Sequence, residues 1–199
     1  MLADSVYVLL AYLLGSLSSA IILCKLAGLP DPRTQGSGNP GATNVLRFGG
    51  KKLAALTLLG DLLKGLVPVL LVRALGANDL VLSLVALAAF LGHLYPVFFR
   101  FKGGKGVATA FGVLLGLAWP VALAAAITWL VMALLFRISS LAALTASVLT
   151  PAYMWWFGPS RPFFAATVLM SALLIWRHRA NIRNLLQGTE SRIGSKRTL

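Results

Sequence analysis

Apolar runs of near-membrane length alternate with short polar segments along the chain, at roughly residues 5–27, 54–75, 80–101, 104–118, 120–137, 139–157 and 161–178. A helix needs about 20 predominantly apolar residues to cross the hydrocarbon core of a bilayer, and most of these runs approach that length. The pattern predicts an all-α polytopic membrane protein with about seven transmembrane helices. The fourth run is short and carries Gly106, Gly112 and Gly116, so a tilted, partial or re-entrant helix is the alternative there, and six full spans the alternative count. Because no positive segment precedes the first run and no clear cleavage site follows it, residues 5–27 are expected to remain as a span.

Composition agrees with lipid as the main solvent. Of 199 residues, 58% are hydrophobic and only 12% charged, too few polar groups to cover a water-soluble globule of this length. The single cysteine, Cys24, excludes an intrachain disulfide and a cysteine-rich metal site. Neither an internal repeat nor a low-complexity linker divides the sequence, and residues 1–199 are expected to form one domain.

Charge then orients the helices. The net charge of +13 would suggest nucleic-acid binding in a soluble protein, but no aromatic single-strand platform or nucleic-acid motif accompanies it. Anionic lipid headgroups and anionic substrates are the expected partners, with no nucleic acid. Assigning alternate loops to opposite sides gathers Lys25, Arg33, Arg47, Lys51, Lys52, Arg100, Lys102, Lys105, Arg137 and the C-terminal basic residues on one face. Arg73 and Arg161 fall opposite, and Lys64 lies within a span. The positive-inside rule makes the loaded face cytoplasmic, with the N-terminus outside and the C-terminus inside.

The same face carries the candidate chemistry. The first long loop reads Arg33-Thr34-Gln35-Gly36-Ser37-Gly38-Asn39-Pro40-Gly41-Ala42-Thr43-Asn44, followed by Arg47. Glycines let backbone amides approach an anion, Ser, Thr and Asn add donors, and arginine grips phosphate through two parallel bonds. A phosphate nest is the functional reading; turns and a helix cap are the structural one. Gly36, Gly38 and Gly41 match G-x-G-x-x-G, but no βαβ pattern surrounds them, so a Rossmann site is rejected.

A second loop runs Gly92-His93-Leu94-Tyr95-Pro96 and then Phe101-Lys102-Gly103-Gly104-Lys105-Gly106-Val107-Ala108-Thr109. It is not a Walker A loop, because Gly106 stands where Ser or Thr would bind magnesium. Gly103, Gly104 and Gly106 are expected to expose amides at a helix start with Lys105 aimed at the same anion; the alternative is basic anchoring at the membrane surface. His93 reads as a hydrogen-bonded helix-end residue, with proton carriage as the sharper alternative.

Three further features complete the inventory. Ser139 and Ser140 follow Arg137 in a short loop on the loaded face. In Trp176-Arg177-His178-Arg179-Ala180-Asn181-Ile182-Arg183, helical spacing puts His178 and Asn181 on one face, either as part of a site or within a basic anchor. Asp61 and Lys64 lie inside the second run at i, i+3, where each charge costs about 2.5–3.5 kcal/mol on insertion scales. Mutual compensation that supports the loop above is preferred to an ion pathway, and Pro68 releases the Lys64 carbonyl from helical bonding.

With these motifs in place, the chain resembles the bacterial family of acyl-phosphate:glycerol-3-phosphate acyltransferases. The likeness rests on Gly36 to Asn44, Asp61-Leu62-Leu63-Lys64-Gly65, Gly92-His93 through Gly106, and Arg177-His178-Arg179-Ala180-Asn181-Ile182. It implies transfer of a fatty acyl group from acyl phosphate to the 1-hydroxyl of glycerol 3-phosphate, releasing lysophosphatidic acid and phosphate at the bacterial inner membrane. A soluble enzyme that makes acyl phosphate is the implied metabolic partner. The His-x4-Asp signature of other glycerolipid acyltransferases is missing, since Phe98 and Arg183 stand five residues after His93 and His178. Asn184 stands where many relatives carry a basic residue.

On this resemblance Ser37, Gly38, Asn39, Gly41, Thr43 and Asn44 embrace one phosphate, with Gly36 binding substrate beside them. Arg47, Lys105, Ser140, His178 and Asn181 position glycerol phosphate. Because acyl phosphate is already activated, neither cofactor nor metal is expected, and direct attack by the glycerol hydroxyl is preferred. The proton goes to His178 or to a substrate phosphate oxygen. An organophosphate transporter and a noncatalytic lipid-binding scaffold are the rival readings; the first lacks the paired broken helices expected near the membrane midplane, and the second leaves the polar cluster unused.

Overall fold

The computed structural model describes residues 2–193, so Lys196 and Arg197 of the basic C-terminus lie outside the described residues. Every described regular element is helical. In order these are α1 (Leu2–Gly15), α2 (Ser19–Leu26), α3 (Ala42–Phe48), α4 (Gly50–Ala74), α5 (Asp79–Leu94), a 3-10 turn at Val97–Phe99, α6 (Val107–Leu117), α7 (Trp119–Phe136), α8 (Ser139–Phe157), α9 (Arg161–Arg177) and α10 (Arg179–Leu186).

All seven apolar runs are therefore helical, but they differ in kind. By length and apolarity α4, α5 continued through Phe99, and α7 suffice to cross a membrane, and the pair α1–α2, bent by 43°, adds a fourth if it counts as one span. The bend falls at Ser16–Ser18, where regular hydrogen bonding stops. Lys64 reaches from α4 to the break and donates to the Leu17 carbonyl at 2.8 Å. In lipid a released carbonyl must find a partner inside the protein, and Lys64 supplies one. The fourth run is an apolar helix of 11 residues, α6.

The helices cluster into two compact units, one ending at Leu117 and one beginning at Ala118. In the first, α1 packs on α5 and α4 on α6. Small residues make both approaches possible: a methyl group on Gly15 would strike the Ala89 backbone, and one on Gly112 the Leu62 backbone. Close backbone contact is what holds apolar helices together where lipid offers no hydrophobic contrast. Arg73 ties the ends of α4 and α6 by donating to the Leu117 carbonyl at 2.9 Å. In the second unit α7 packs on α8 and α8 on α9, with a 2.8 Å hydrogen bond between the hydroxyls of Thr128 and Tyr153 joining the first pair.

Large apolar side chains remain on the outside, among them Leu134 at 70% exposure, Leu135 at 71% and Trp156 at 73%. In water such a surface would aggregate; covered by lipid it costs nothing.

Candidate active site

The first glycine loop is built from the inside by one asparagine. Asn44 is 1% exposed; its Nδ2 donates to the Pro32 and Gln35 carbonyls, each at 2.9 Å, and its Oδ1 accepts the Ser37 amide at 2.9 Å. Both amide donors and the carbonyl acceptor are thus engaged with loop backbone. Gly36 (φ +55°) and Gly38 (φ +69°) take left-handed conformations, which carry a steric penalty for residues with a Cβ. The Gly38 amide donates to the Gln35 carbonyl at 2.9 Å and the Gly41 amide to the Asn39 carbonyl at 2.9 Å. Asn39 and Gly41 are partly covered, while Ser37, Thr43 and Arg47 are exposed, the last two on α3.

Arg33 connects this loop to the second. Its Nη2 lies 2.7 Å from Asp31 Oδ2, and its Nη1 donates to the Phe99 carbonyl at 3.0 Å. The hydrogen bonds from Arg33 hold the Asp31 carboxyl below its ordinary value of 3.8.

The second loop uses its glycines differently. Gly103, Gly104 and Gly106 are buried. A methyl group on Gly103 would meet the His93 and Leu94 carbonyls, one on Gly104 the His93 imidazole, and one on Gly106 the Phe90 ring. The Gly104 amide, expected to face an anion, donates instead to the His93 carbonyl at 3.2 Å. The glycines let the loop lie flush on the end of α5, and partly exposed Lys105 follows directly.

In the second unit Ser140 and Asn181 converge on a residue that sequence reasoning missed. Glu190 Oε1 accepts from Ser140 Oγ at 2.8 Å and from Asn181 Nδ2 at 2.7 Å, and Oε2 accepts from Asn184 Nδ2 at 3.1 Å. The Ile193 amide donates to the Arg137 carbonyl at 2.6 Å, holding the segment after α10 near the start of α8. The available signal was that Glu190 is the sole glutamate, set in a basic tail. His178, 3% exposed at the α9–α10 junction, has Nδ1 2.8 Å from the Leu174 carbonyl. A carbonyl only accepts, so Nδ1 carries the hydrogen and Nε2 is the basic nitrogen of the neutral ring.

The family profile described as glycerol-3-phosphate acyltransferase matches residues 5–188. The chain belongs to the glycerol-3-phosphate acyltransferase family. It is 64% identical to the glycerol-3-phosphate acyltransferase of Thioalkalivibrio sulfidiphilus, over 98% of this chain and 97% of that protein. With the Methylococcus capsulatus glycerol-3-phosphate acyltransferase the identity is 60%, over 94% of each. Among solved structures it is similar to PlsY (YgiH), an integral membrane glycerol 3-phosphate acyltransferase, in its glycerol 3-phosphate form, with TM-score 0.92 and 44% identity over 96% of each chain. The lysophosphatidic acid form of PlsY gives 0.90 and 43%, also over 96% of each. This family member is accordingly a multi-pass membrane protein, in keeping with its apolar helices.

Proposed function

We propose that the protein transfers a fatty acyl group from acyl phosphate to the 1-hydroxyl of glycerol 3-phosphate, yielding 1-acylglycerol 3-phosphate and inorganic phosphate. The observation that carries this reading is the first loop, whose backbone is fixed from within by Asn44 while Ser37, Thr43 and Arg47 stand exposed. The Ser37, Gly38 and Gly41 amides are spent on the loop itself, so what it holds toward a phosphate is the Ser37 and Thr43 hydroxyls and the Arg47 guanidinium, carried on a turn that needs little reorganisation. Names of relatives supply the acceptor and the product class: two PlsY structures are described as its glycerol 3-phosphate form and its lysophosphatidic acid form.

In this reading Gly36, Ser37, Gly38, Asn39, Gly41 and Thr43 surround one phosphate, and Asn44 shapes the loop rather than touching substrate. Arg47 and Lys105 supply positive charge for glycerol 3-phosphate, with Gly103, Gly104 and Gly106 seating the lysine. Ser140 and Asn181, oriented by Glu190, hydrogen-bond the glycerol phosphate. The 1-hydroxyl attacks the acyl carbonyl, the bond from that carbon to the phosphate oxygen breaks, and phosphate leaves. The hydroxyl proton passes to His178 Nε2 or to a phosphate oxygen. Acyl phosphate is a mixed anhydride, so the protein's task is placement and charge stabilisation.

The proposal extends to the membrane. Seven helical passages, with the bent α1–α2 pair as one and α6 as the shortest, put the N-terminus outside and the basic loops on the cytoplasmic side of the inner membrane. The whole chain works as one acyltransferase domain, supplied with acyl phosphate by a soluble enzyme.

Purified protein in detergent, given acyl phosphate and glycerol 3-phosphate, should release phosphate and lysophosphatidic acid in equal amounts. Repeated absence of product from well-folded protein would overturn the proposal. His178→Gln separates the two proton acceptors: near-normal turnover across pH rejects the imidazole. An acyl-enzyme caught by rapid-quench mass spectrometry rejects direct attack.

A further inference from the structure

A buried carboxylate stands behind the second glycine loop. Asp61 in α4 is 3% exposed, and Lys64 and His93 are enclosed almost as fully. Lys64 Nζ lies 2.9 Å from Asp61 Oδ1 and also holds the Leu17 carbonyl of the broken helix. His93 Nδ1 lies 3.7 Å from the same Asp61 oxygen. The far edge of the imidazole meets the loop, since a methyl group on Gly104 would land against Nε2 and Cε1. The ring is thereby wedged between a carboxylate and the residue preceding Lys105, while the His93 carbonyl receives the Gly104 amide.

An Asp–Lys pair would by itself be enough to make two charges tolerable inside a bundle. It leaves unexplained why a third polar group is buried on its flank and in contact with the loop. Rotation about the imidazole's second side-chain torsion is soft, so a ring with nothing on its inner side samples a broad range. With Asp61 beside Nδ1 that range narrows, and the backbone resting on the other edge is fixed with it.

We propose that Asp61 is a positioning residue for acyl transfer, acting through His93 to set the Gly103–Gly104–Lys105 backbone and hence the place of the Lys105 ammonium. This rests on the reading that Lys105 holds the phosphate of glycerol 3-phosphate. Misplacing a substrate-holding group by about 1 Å costs up to about a hundredfold in rate, so a small relaxation of the loop is enough to be measured.

The test compares wild type, Asp61→Asn, His93→Gln and the double variant, each purified in detergent and checked for folding by gel filtration and thermal unfolding. Glycerol 3-phosphate affinity by calorimetry and its KM in the transfer assay are both recorded. Each single variant should weaken binding and raise KM by about tenfold while kcat changes by less than about threefold. The double variant should be no worse than the weaker single, because both changes release the same brace. Should Asp61→Asn fail to fold, combining it with Lys64→Met removes both charges and still removes the brace.

Folded variants with wild-type affinity, or effects that simply multiply in the double variant, overturn the positioning role; a role confined to bundle stability would lower the melting temperature and leave affinity unchanged. Wild-type protein that binds glycerol 3-phosphate without accepting acyl phosphate overturns the proposed donor alone, and the calorimetric comparison still decides the role of Asp61.

Discussion

The two glycine loops of the first unit look alike as strings of residues and are held in place differently in the fold. In the first, Gly36 and Gly38 are exposed and adopt left-handed backbone, and a buried asparagine fastens the turn from within. In the second, the glycines are buried against α5, and Gly103 and Gly104 are there because a side chain would have no room. Gly38 thus contributes conformational freedom in the first loop, and Gly103 and Gly104 absence of volume in the second, while Gly36, whose Cβ would strike Asn44 Oδ1, and Gly106, at φ +90° against Phe90, combine the two. The first loop tunes itself locally, whereas the second inherits its position from α5 and from what lies behind His93.

Substitutions that add a single methyl group should separate the two cases. The largest effect is expected for Gly103→Ala, whose Cβ would press on the backbone carbonyls of His93 and Leu94. Overpacking of this kind costs about 1–3 kcal/mol, toward the upper end when the obstacle is backbone. A fall in melting temperature accompanied by loss of transfer activity is the expected result; an unchanged melting curve would show that the loop is not seated by volume.

Asn44→Ala comes next, and it should break the first loop without touching the second. It removes hydrogen bonds from the Ser37 amide and the Pro32 and Gln35 carbonyls, each worth about 0.5–1.5 kcal/mol. Solvent can reach parts of this loop, so the cost in stability is expected at the low end of the sum. The decline in kcat/KM should be about tenfold or more, by the scale on which misplaced groups lose rate. Parity with wild type in the transfer assay would sink the idea that Asn44 shapes the loop.

Gly38→Ala is expected to be milder. The nearest atom to the added methyl is the Arg33 carbonyl at 3.3 Å, so the penalty is that of left-handed backbone, about 1–2 kcal/mol. Activity should drop and the melting temperature should fall by a few degrees, less than for Gly103→Ala; a fall as large as that of Gly103→Ala would show that volume limits this position too.

The smallest effect concerns the Asp31–Arg33 link that reaches across to Phe99. Arg33 depresses the Asp31 pKa in the folded state below 3.8, so the pair stabilises the loop fully above that value and loses its contribution as pH falls through the depressed one. Wild type should therefore melt slightly higher than Asp31→Asn near neutrality, and the gap should close below pH 3.8. A gap that persists at lower pH would assign the effect to something other than the ion pair.

How far these distinctions could be read from the chain varies with their range. Hydrophobic length found the seven apolar runs, each of which is helical, but not α3, which lies in the segment read as the first long loop. The break at Ser16–Ser18 was invisible, because it depends on Lys64 arriving from α4 to satisfy the Leu17 carbonyl. Glu190 was passed over in a polar tail, though it gathers Ser140, Asn181 and Asn184. Which way the Asn44 side chain turns, onto the backbone of its own loop, is likewise not written in composition.

Sequence alone determined that this protein lives in lipid, which runs become helices, and which family its motifs join, because solvent preference and backbone propensity are local and additive along the chain. The tertiary structure decided what each polar group does with its donors and which glycines are there for turning and which for closeness. Those outcomes depend on partners far away in the chain: Lys64 on Leu17, Arg33 on Phe99, and Ser140 on Glu190. A buried polar group must find its partner wherever the fold places one, and only the packed helices specify where that is.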